Sequence, residues 1–373
     1  MAPRSVVRSV VRARPSMARL TQLVLLAAAG ALFAATLGTG RIEAAPYYPF
    51  FVACLLAVGL YASASGISRE VVGDLRLVLV AVSVGVLCKA ALIAGVMWLA
   101  LGQPVAIVLG VAVAQIDPLS VAAMTAGSRL SPRARAILMA WASFDDPVTA
   151  LLIVYSSALA LAWSGTGGQV IGGPAGADLA AYGLNLGANL LLAGGCFAVG
   201  WLARRWGLTR RRFWRRWGTA VSVVALVALL AFAAATFLML GVALVGLFFR
   251  PPAAVRLGAV TTGAFWLATF LLGMLLVRGV AVVHGLVLGA ATFLAQVVVG
   301  LAITWRLPRR DRIQLALSQQ NGITAIVLAL TLEPSFPRIS TVIAPAILVI
   351  NTIHIVADEV AARVLGGAER TAP

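Results

Sequence analysis

Apolar runs of membrane-spanning length recur from Leu20 to Ala362, and the polar connections between them carry arginines on alternate sides. A helix needs about 20 apolar residues to cross a bilayer, and only helices or closed barrels satisfy their own backbone there. Taken in order, the runs predict helices over 20–40, 46–65, 75–100, 104–126, 137–163 and 179–203. The stretch 218–249 is too long for one span and is expected to split near Ala235; 258–277, 281–305, 313–332 and 339–362 follow. That makes about twelve spans, and an even count puts both termini on one side. Every arginine except Arg41, Arg278 and Arg338 then falls on the cytoplasmic side, as the positive-inside rule requires. The expectation is an all-α polytopic membrane protein of a bacterial inner (plasma) membrane with both termini cytoplasmic. Residues 1–19, with Arg4, Arg8, Arg12, Arg14 and Arg19, read as a basic cytoplasmic arm or as the n-region of a signal peptide. Residues 20–373 form a single membrane domain, with a core bundle over 75–163 and 281–362 and the other helices as scaffold.

Composition removes other classes. Hydrophobic residues make up 61% and charged residues 11%, which excludes an ordinary soluble domain. The net charge of +17 does not point to nucleic acid, because the basic residues sit in alternate loops. Even Arg204–Trp217, where arginines interleave with Trp206, Phe213, Trp214 and Trp217, reads as an interfacial loop anchored by tryptophans. Cys54, Cys88 and Cys196 all lie in apolar runs and are expected to be small buried residues, neither disulfides nor ligands. There is no Gly-rich phosphate loop and no His/Cys cluster at ligand spacing, so neither ATP nor a metal cofactor is expected. The lipid bilayer is the partner.

The chemistry concentrates in Trp141-Ala-Ser-Phe-Asp145-Asp146-Pro147-Val-Thr149, inside the fifth apolar run. Carboxylates at membrane depth are costly and mark an ion or proton path by default. Adjacent helical residues point about 100° apart, so one acid can face a site while the other faces a neighbouring helix. Pro147 has no N–H and leaves the carbonyl of Ser143 without its helical partner. Carboxylates, that carbonyl, Ser143 and Thr149 together supply the hard oxygens that a cation such as Na⁺ takes at Asp145 and Asp146. The fourth run repeats the theme with Gln115-Ile-Asp117-Pro118-Leu-Ser120, where Pro118 frees the carbonyl of Ala114. An acid, a proline and a hydroxyl in mid-span describe the broken helix that transporters use for ion sites.

The eleventh run contains Gln319-Gln320-Asn321-Gly322-Ile323-Thr324. Its order matches Gln115–Ser120: Gln, any residue, Asp or Asn, a helix breaker, a branched apolar residue, a hydroxyl. The two copies run in opposite directions through the membrane, and the twelfth helix has Pro345 where the fifth has Pro147. Two inverted repeats, helices three to five and ten to twelve, would cross their broken helices at the midplane and oppose half-helix ends of both signs.

With Asp117-Pro118 and Asp145-Asp146 in these positions, the chain over roughly 50–363 resembles the monovalent cation:proton antiporter superfamily, the sodium/hydrogen exchangers. Gly59-Leu60, Gly246-Leu247-Phe248 and the break at Gly322 add to the likeness. The resemblance implies that Asp146 is the ion- and proton-binding carboxylate and that Asp117 shapes the crossing. It also implies a homodimer in which a core moves like an elevator against a dimerisation domain. Members with two adjacent acids are similar to the electrogenic branch, which usually has a lysine midway along the helix equivalent to the tenth. Here that helix has none; Gln296 is its most polar mid-span residue, so the resemblance does not set the stoichiometry. The proline after the acid pair is a second departure.

The function expected is secondary antiport of Na⁺, or of K⁺ or Li⁺, against protons, without a cofactor. A sodium-coupled solute symporter on the same scaffold is the alternative. An intramembrane aspartyl protease is a remote one, since its acids must meet from separate elements. Lys89, the only lysine, lies deep in the third helix and is expensive there unless paired. Asp145 is its expected partner; a snorkelling Lys89 is the other reading. His354 is expected to pair locally with Asp358, four residues on, near the cytoplasmic face.

Overall fold

The structure, a computed structural model, describes residues 15–38, 42–66, 74–118, 121, 130–165, 179–206, 212–250 and 257–368. The described residues are helical with no strand. The helices are α1 (Pro15–Leu37), α2 (Tyr48–Ser65), α3 (Leu75–Val80), α4 (Val86–Leu101), α5 (Val105–Ala112), α6 (Pro132–Ser164) and α7 (Leu179–Arg205). They continue as α8 (Arg212–Thr236), α9 (Met239–Phe248), α10 (Leu257–Leu275), α11 (Val282–Ile303), α12 (Arg309–Ala316), α13 (Ile323–Leu332) and α14 (Ile339–Ala368). Nine stretches among the described residues are long and apolar enough to cross a membrane, with Met239–Phe248 and Ile323–Leu332 as shorter apolar helices.

Several boundaries differ from expectation, each for a local reason. The fifth span starts earlier, at Pro132: Ser131 caps α6 by accepting the N–H of Ala134 at 3.1 Å, and Pro132 presets the first turn. At 33 residues α6 is about 50 Å long, well beyond the hydrocarbon thickness. It ends at Gly165, whose φ of 67° is left-handed. The seventh span also starts early, because Arg212–Trp217 are good enough helix formers to extend α8 rather than form a loop. The split near Ala235 falls two residues on. Phe237 takes a φ of 54°, and the N–H of Leu238 closes back on Ala233 O at 2.9 Å as a Schellman stop. Between α3 and α4 the third span carries a π turn, Ala81–Gly85, just before Lys89.

Glycines let neighbouring helices approach backbone to backbone. At Gly110 an added Cβ would sit 2.6 Å from Ala90 O, so α5 lies directly on α4 beside Lys89. Gly246 brings α9 against α2, where an added Cβ would be 2.9 Å from Tyr61 O. Cys54 and Cys196 are half-buried, but Cys88 is exposed on the outer surface of α4. An apolar run leaves the outward face of a helix to lipid, so lying in one did not bury that thiol.

Candidate functional site

Two stretches leave the helical path, 113–117 after α5 and 317–322 between α12 and α13, and they meet. The N–H of Asp117 donates to Gln320 O at 2.8 Å. Gln319 Nε2 donates to Gln115 O at 2.8 Å and to Asn321 Oδ1 at 2.6 Å, and Asn321 Nδ2 donates to Val113 O at 3.1 Å. The carbonyls of the first break that side chains fill are those of Val113 and Gln115. The helix already stops at Ala112, two residues before the Ala114 carbonyl that Pro118 would leave without a donor. Gly322 is required for space: a Cβ there would overlap the Asp117 carboxylate. Pro118 is buried at the far end of the first break, while Ser120 lies outside the described residues.

The two acids of α6 face different partners, as their angular offset demands. Lys89 Nζ lies 3.0 Å from Asp145 Oδ2, with both side chains at 0% exposure. The peptide N–H of Ile116, in the first break, reaches the same oxygen at 3.3 Å. Trp141, one turn before Asp145, sets its ring 5.4 Å from the ammonium. Asp146 instead meets the second break: Thr324, in the first turn of α13, donates its hydroxyl to Asp146 Oδ2 at 2.9 Å. Snorkelling is excluded for Lys89 in this conformation.

The carbonyl of Ser143, freed by Pro147, accepts the hydroxyl of Ser63 from α2 at 3.2 Å. Ser143 Oγ, Asp146 Oδ1 and Thr149 Oγ1 are buried without a hydrogen-bond partner among the described residues. At spacing i−3, i, i+3 they lie on one stripe of α6. The structure thus brings together Lys89, Asp117, Asp145, Asp146, Asn321, Gly322 and Thr324, with Ser143 and Thr149 flanking Asp146.

His354 is placed differently from expectation. Its ring bonds Leu317 O at 2.7 Å and Gln320 Nε2 at 2.9 Å, so its hydrogen bonds go to the second break rather than to Asp358. The helical spacing to Asp358 is real, but the buried ring faces the unwound backbone, whose Leu317 carbonyl has no helical donor and takes the ring N–H. Ser63, Asn351 and His354 are the residues near the breaks that the motifs did not reveal. The spacing read for His354 led to Asp358 rather than to the break.

At the N-terminal end of α6, Arg133 forks onto Asp74 at 2.6 and 3.0 Å. These hydrogen bonds hold the Asp74 carboxyl below the usual carboxylate range. Beside them Ser131 donates its hydroxyl to Asp311 at 2.7 Å.

No protein-family model matches the sequence, and no curated protein matches it. Its backbone is similar to the sodium proton antiporter MjNhaP1 from Methanocaldococcus jannaschii at pH 8, with a TM-score of 0.56 and 17% identity. The match covers 95% of this chain and 97% of that one. An electron-microscopy structure of the same antiporter gives a TM-score of 0.57 at 16% identity over 84% of this chain and 82% of that chain. The chain therefore has the fold of a sodium/proton antiporter, the architecture its Asp117-Pro118 and Asp145-Asp146 pairs led us to expect.

Proposed function

We propose that the protein is a secondary antiporter that exchanges a monovalent cation, Na⁺ in the first instance and K⁺ or Li⁺ as competitors, for protons by alternating access. The observation that carries this reading is Asp146. It is a buried carboxylate with one oxygen on Thr324, in the first turn after the second break, and the other unpartnered among the described residues, between the unpartnered hydroxyls of Ser143 and Thr149. All of these donors are hard oxygens, suited to an alkali cation. A proton and a cation compete for the same carboxylate oxygens, and that competition couples their movements.

Lys89 and Asp145 fit this scheme as a buried charge pair beside the site. With the pair intact, Asp146 trades one cation for one proton and no net charge moves. If cation entry draws Asp145 away and Lys89 releases its proton as well, two protons leave per cation and the exchange becomes electrogenic. Lys89 sits on the third span rather than the tenth, where Gln296 instead donates to Leu315 O at 3.3 Å. The oligomer is proposed to be a homodimer in which the core over 75–163 and 281–362 moves against the remaining helices. The setting proposed is a bacterial inner membrane with cytoplasmic termini.

The test is proton flux in proteoliposomes driven by Na⁺, Li⁺ or K⁺ in turn, with a potential-sensitive dye to read net charge. Cation-driven alkalinisation or acidification without added solute supports antiport. Flux that requires an organic solute would replace it with symport.

A further inference from the structure

The second break is held in shape from outside, by a face of α14 that the transport scheme does not use. His354 is buried, and its Nδ1 lies 2.7 Å from Leu317 O. A carbonyl can only accept, so Nδ1 carries the hydrogen, and Nε2 is left to accept the Gln320 amide N–H at 2.9 Å. Asn351 lies three residues earlier on the same face. Its Oδ1 accepts the N–H of Asn321 at 3.2 Å, and its Nδ2 donates to Asn321 O at 2.9 Å. These two side chains satisfy backbone groups that a continuous helix would have satisfied itself.

The supporting face is itself fixed. Gly285 and Gly289 let α11 lie on α14: a Cβ on Gly289 would be 2.7 Å from Val349 Cβ, and one on Gly285 would overlap Pro345. The opposite edge of the break carries the chemistry. Gln320 O takes the N–H of Asp117, and two residues beyond Gly322 the hydroxyl of Thr324 reaches Asp146.

We propose that His354 and Asn351 are positioning residues for the transport site. They set the backbone of 317–322 so that Thr324 meets Asp146 and Gln320 meets Asp117, without touching the ion themselves. The inference rests on the antiport reading for its effect on transport, but not for its effect on the break.

The experiment therefore has two readouts on His354→Ala, His354→Asn and wild type. In proteoliposomes, His354→Ala is expected to raise the cation concentration for half-maximal proton flux by about tenfold, the worth of one to two hydrogen bonds, while maximal flux changes much less. His354→Asn keeps a donor at the Nδ1 position and is expected to recover most of that loss. In detergent without cation, amide exchange in a peptide covering 317–323 should accelerate in His354→Ala, whereas Asp146→Asn should leave it unchanged. Asn351→Ser carries the same expectations if His354→Ala does not fold. Unchanged half-saturation with unchanged exchange overturns the proposal. So does a loss confined to maximal flux that His354→Asn does not relieve. If wild type shows no cation-driven flux, the antiport reading fails, and the exchange data alone decide whether the break is held from α14.

Discussion

Replacing Lys89 with Met strands Asp145 in a fully buried position, and the geometry fixes how much that should cost. At 3.0 Å and an effective dielectric near 20, the pair attraction is about 5 kcal/mol. Desolvation of both groups offsets most of it, so losing the pair as a unit costs little, while losing one partner costs about 3–5 kcal/mol. There is also a ceiling. A stranded carboxylate escapes by taking up a proton, which at pH 7 costs no more than about 4 kcal/mol for an acid that ordinarily titrates near 3.9. Lys89→Met should therefore destabilise by about 3–4 kcal/mol at pH 7, and the deficit should shrink by about 1.4 kcal/mol for each unit the pH falls towards that value. The assay is a double-variant cycle with Asp145→Asn, read by reversible denaturant unfolding in micelles at pH 7 and pH 5.5. The double variant should be about 2–4 kcal/mol more stable than the sum of the single losses predicts. Single losses that add to within about 0.5 kcal/mol, or a Lys89→Met deficit that does not change with pH, would refute the reasoning.

Asp146→Asn should abolish cation-driven proton flux while the protein still folds, because it removes the charge for which cation and proton compete; normal flux in the folded variant would sink the proposed mechanism. Apparent cation affinity should fall as the pH drops, since a protonated carboxylate does not bind the ion; half-saturation that is flat over several pH units would place the proton elsewhere. Gly322→Ala should cost about 1–3 kcal/mol and impair transport, because the new Cβ meets the Asp117 carboxylate, and parental stability would mean that the two breaks separate more easily than their contacts suggest. Asp74→Asn should cost at most about 1 kcal/mol at pH 7 because Arg133 is 65% exposed. The folded-state pKa of Asp74 is depressed, so this contribution is present above the ordinary carboxylate range and lost as the pH falls through the lowered value. A wild-type advantage over Asp74→Asn that persists in strong acid would contradict it.

The spans, the breaks and the acid pair could be read from the sequence because each breaks a rule with a large energetic cost. A lysine fourteen residues into an apolar run has few affordable states, and the pairing of Lys89 with Asp145 is one of them. Asp-Pro in mid-span likewise costs its helix a hydrogen bond, at Pro147 inside the continuous α6 as well as at Pro118 beside the first break. Features that violate nothing were hidden. Ser63 is one serine among small residues, Asn351 lies mid-helix with no motif around it, and the one local spacing that His354 offers points to Asp358. Their importance comes from the backbone groups they meet in another element, and no local pattern records that. The early start of α6 could have been read from Ser131-Pro132, a capping residue followed by a proline in the first turn, but the hydropathy rise begins later and fixed the expected boundary instead.

The adjacency of Asp145 and Asp146 has a structural consequence beyond the presence of two charges. Because neighbouring helical positions diverge, each acid is tied to a different break: Asp145 to the N–H of Ile116 in the first, Asp146 to the hydroxyl of Thr324 in the helical turn that follows the second. The breaks are tied to each other through Asp117 N–H and Gln320 O, and the Asp117 carboxylate rests against Gly322. A shift of one break relative to the other therefore changes the environment of both carboxylates at once. Under the proposed exchange, a cation that draws oxygens around Asp146 pulls on the second break through Thr324. Through Gln320 and Asp117 the same pull reaches the first break and the Lys89–Asp145 pair. Two acids on opposite faces of α6, or a single acid with one break, would lack that shared path, and ion binding could not then act on the buried charge pair through the crossing.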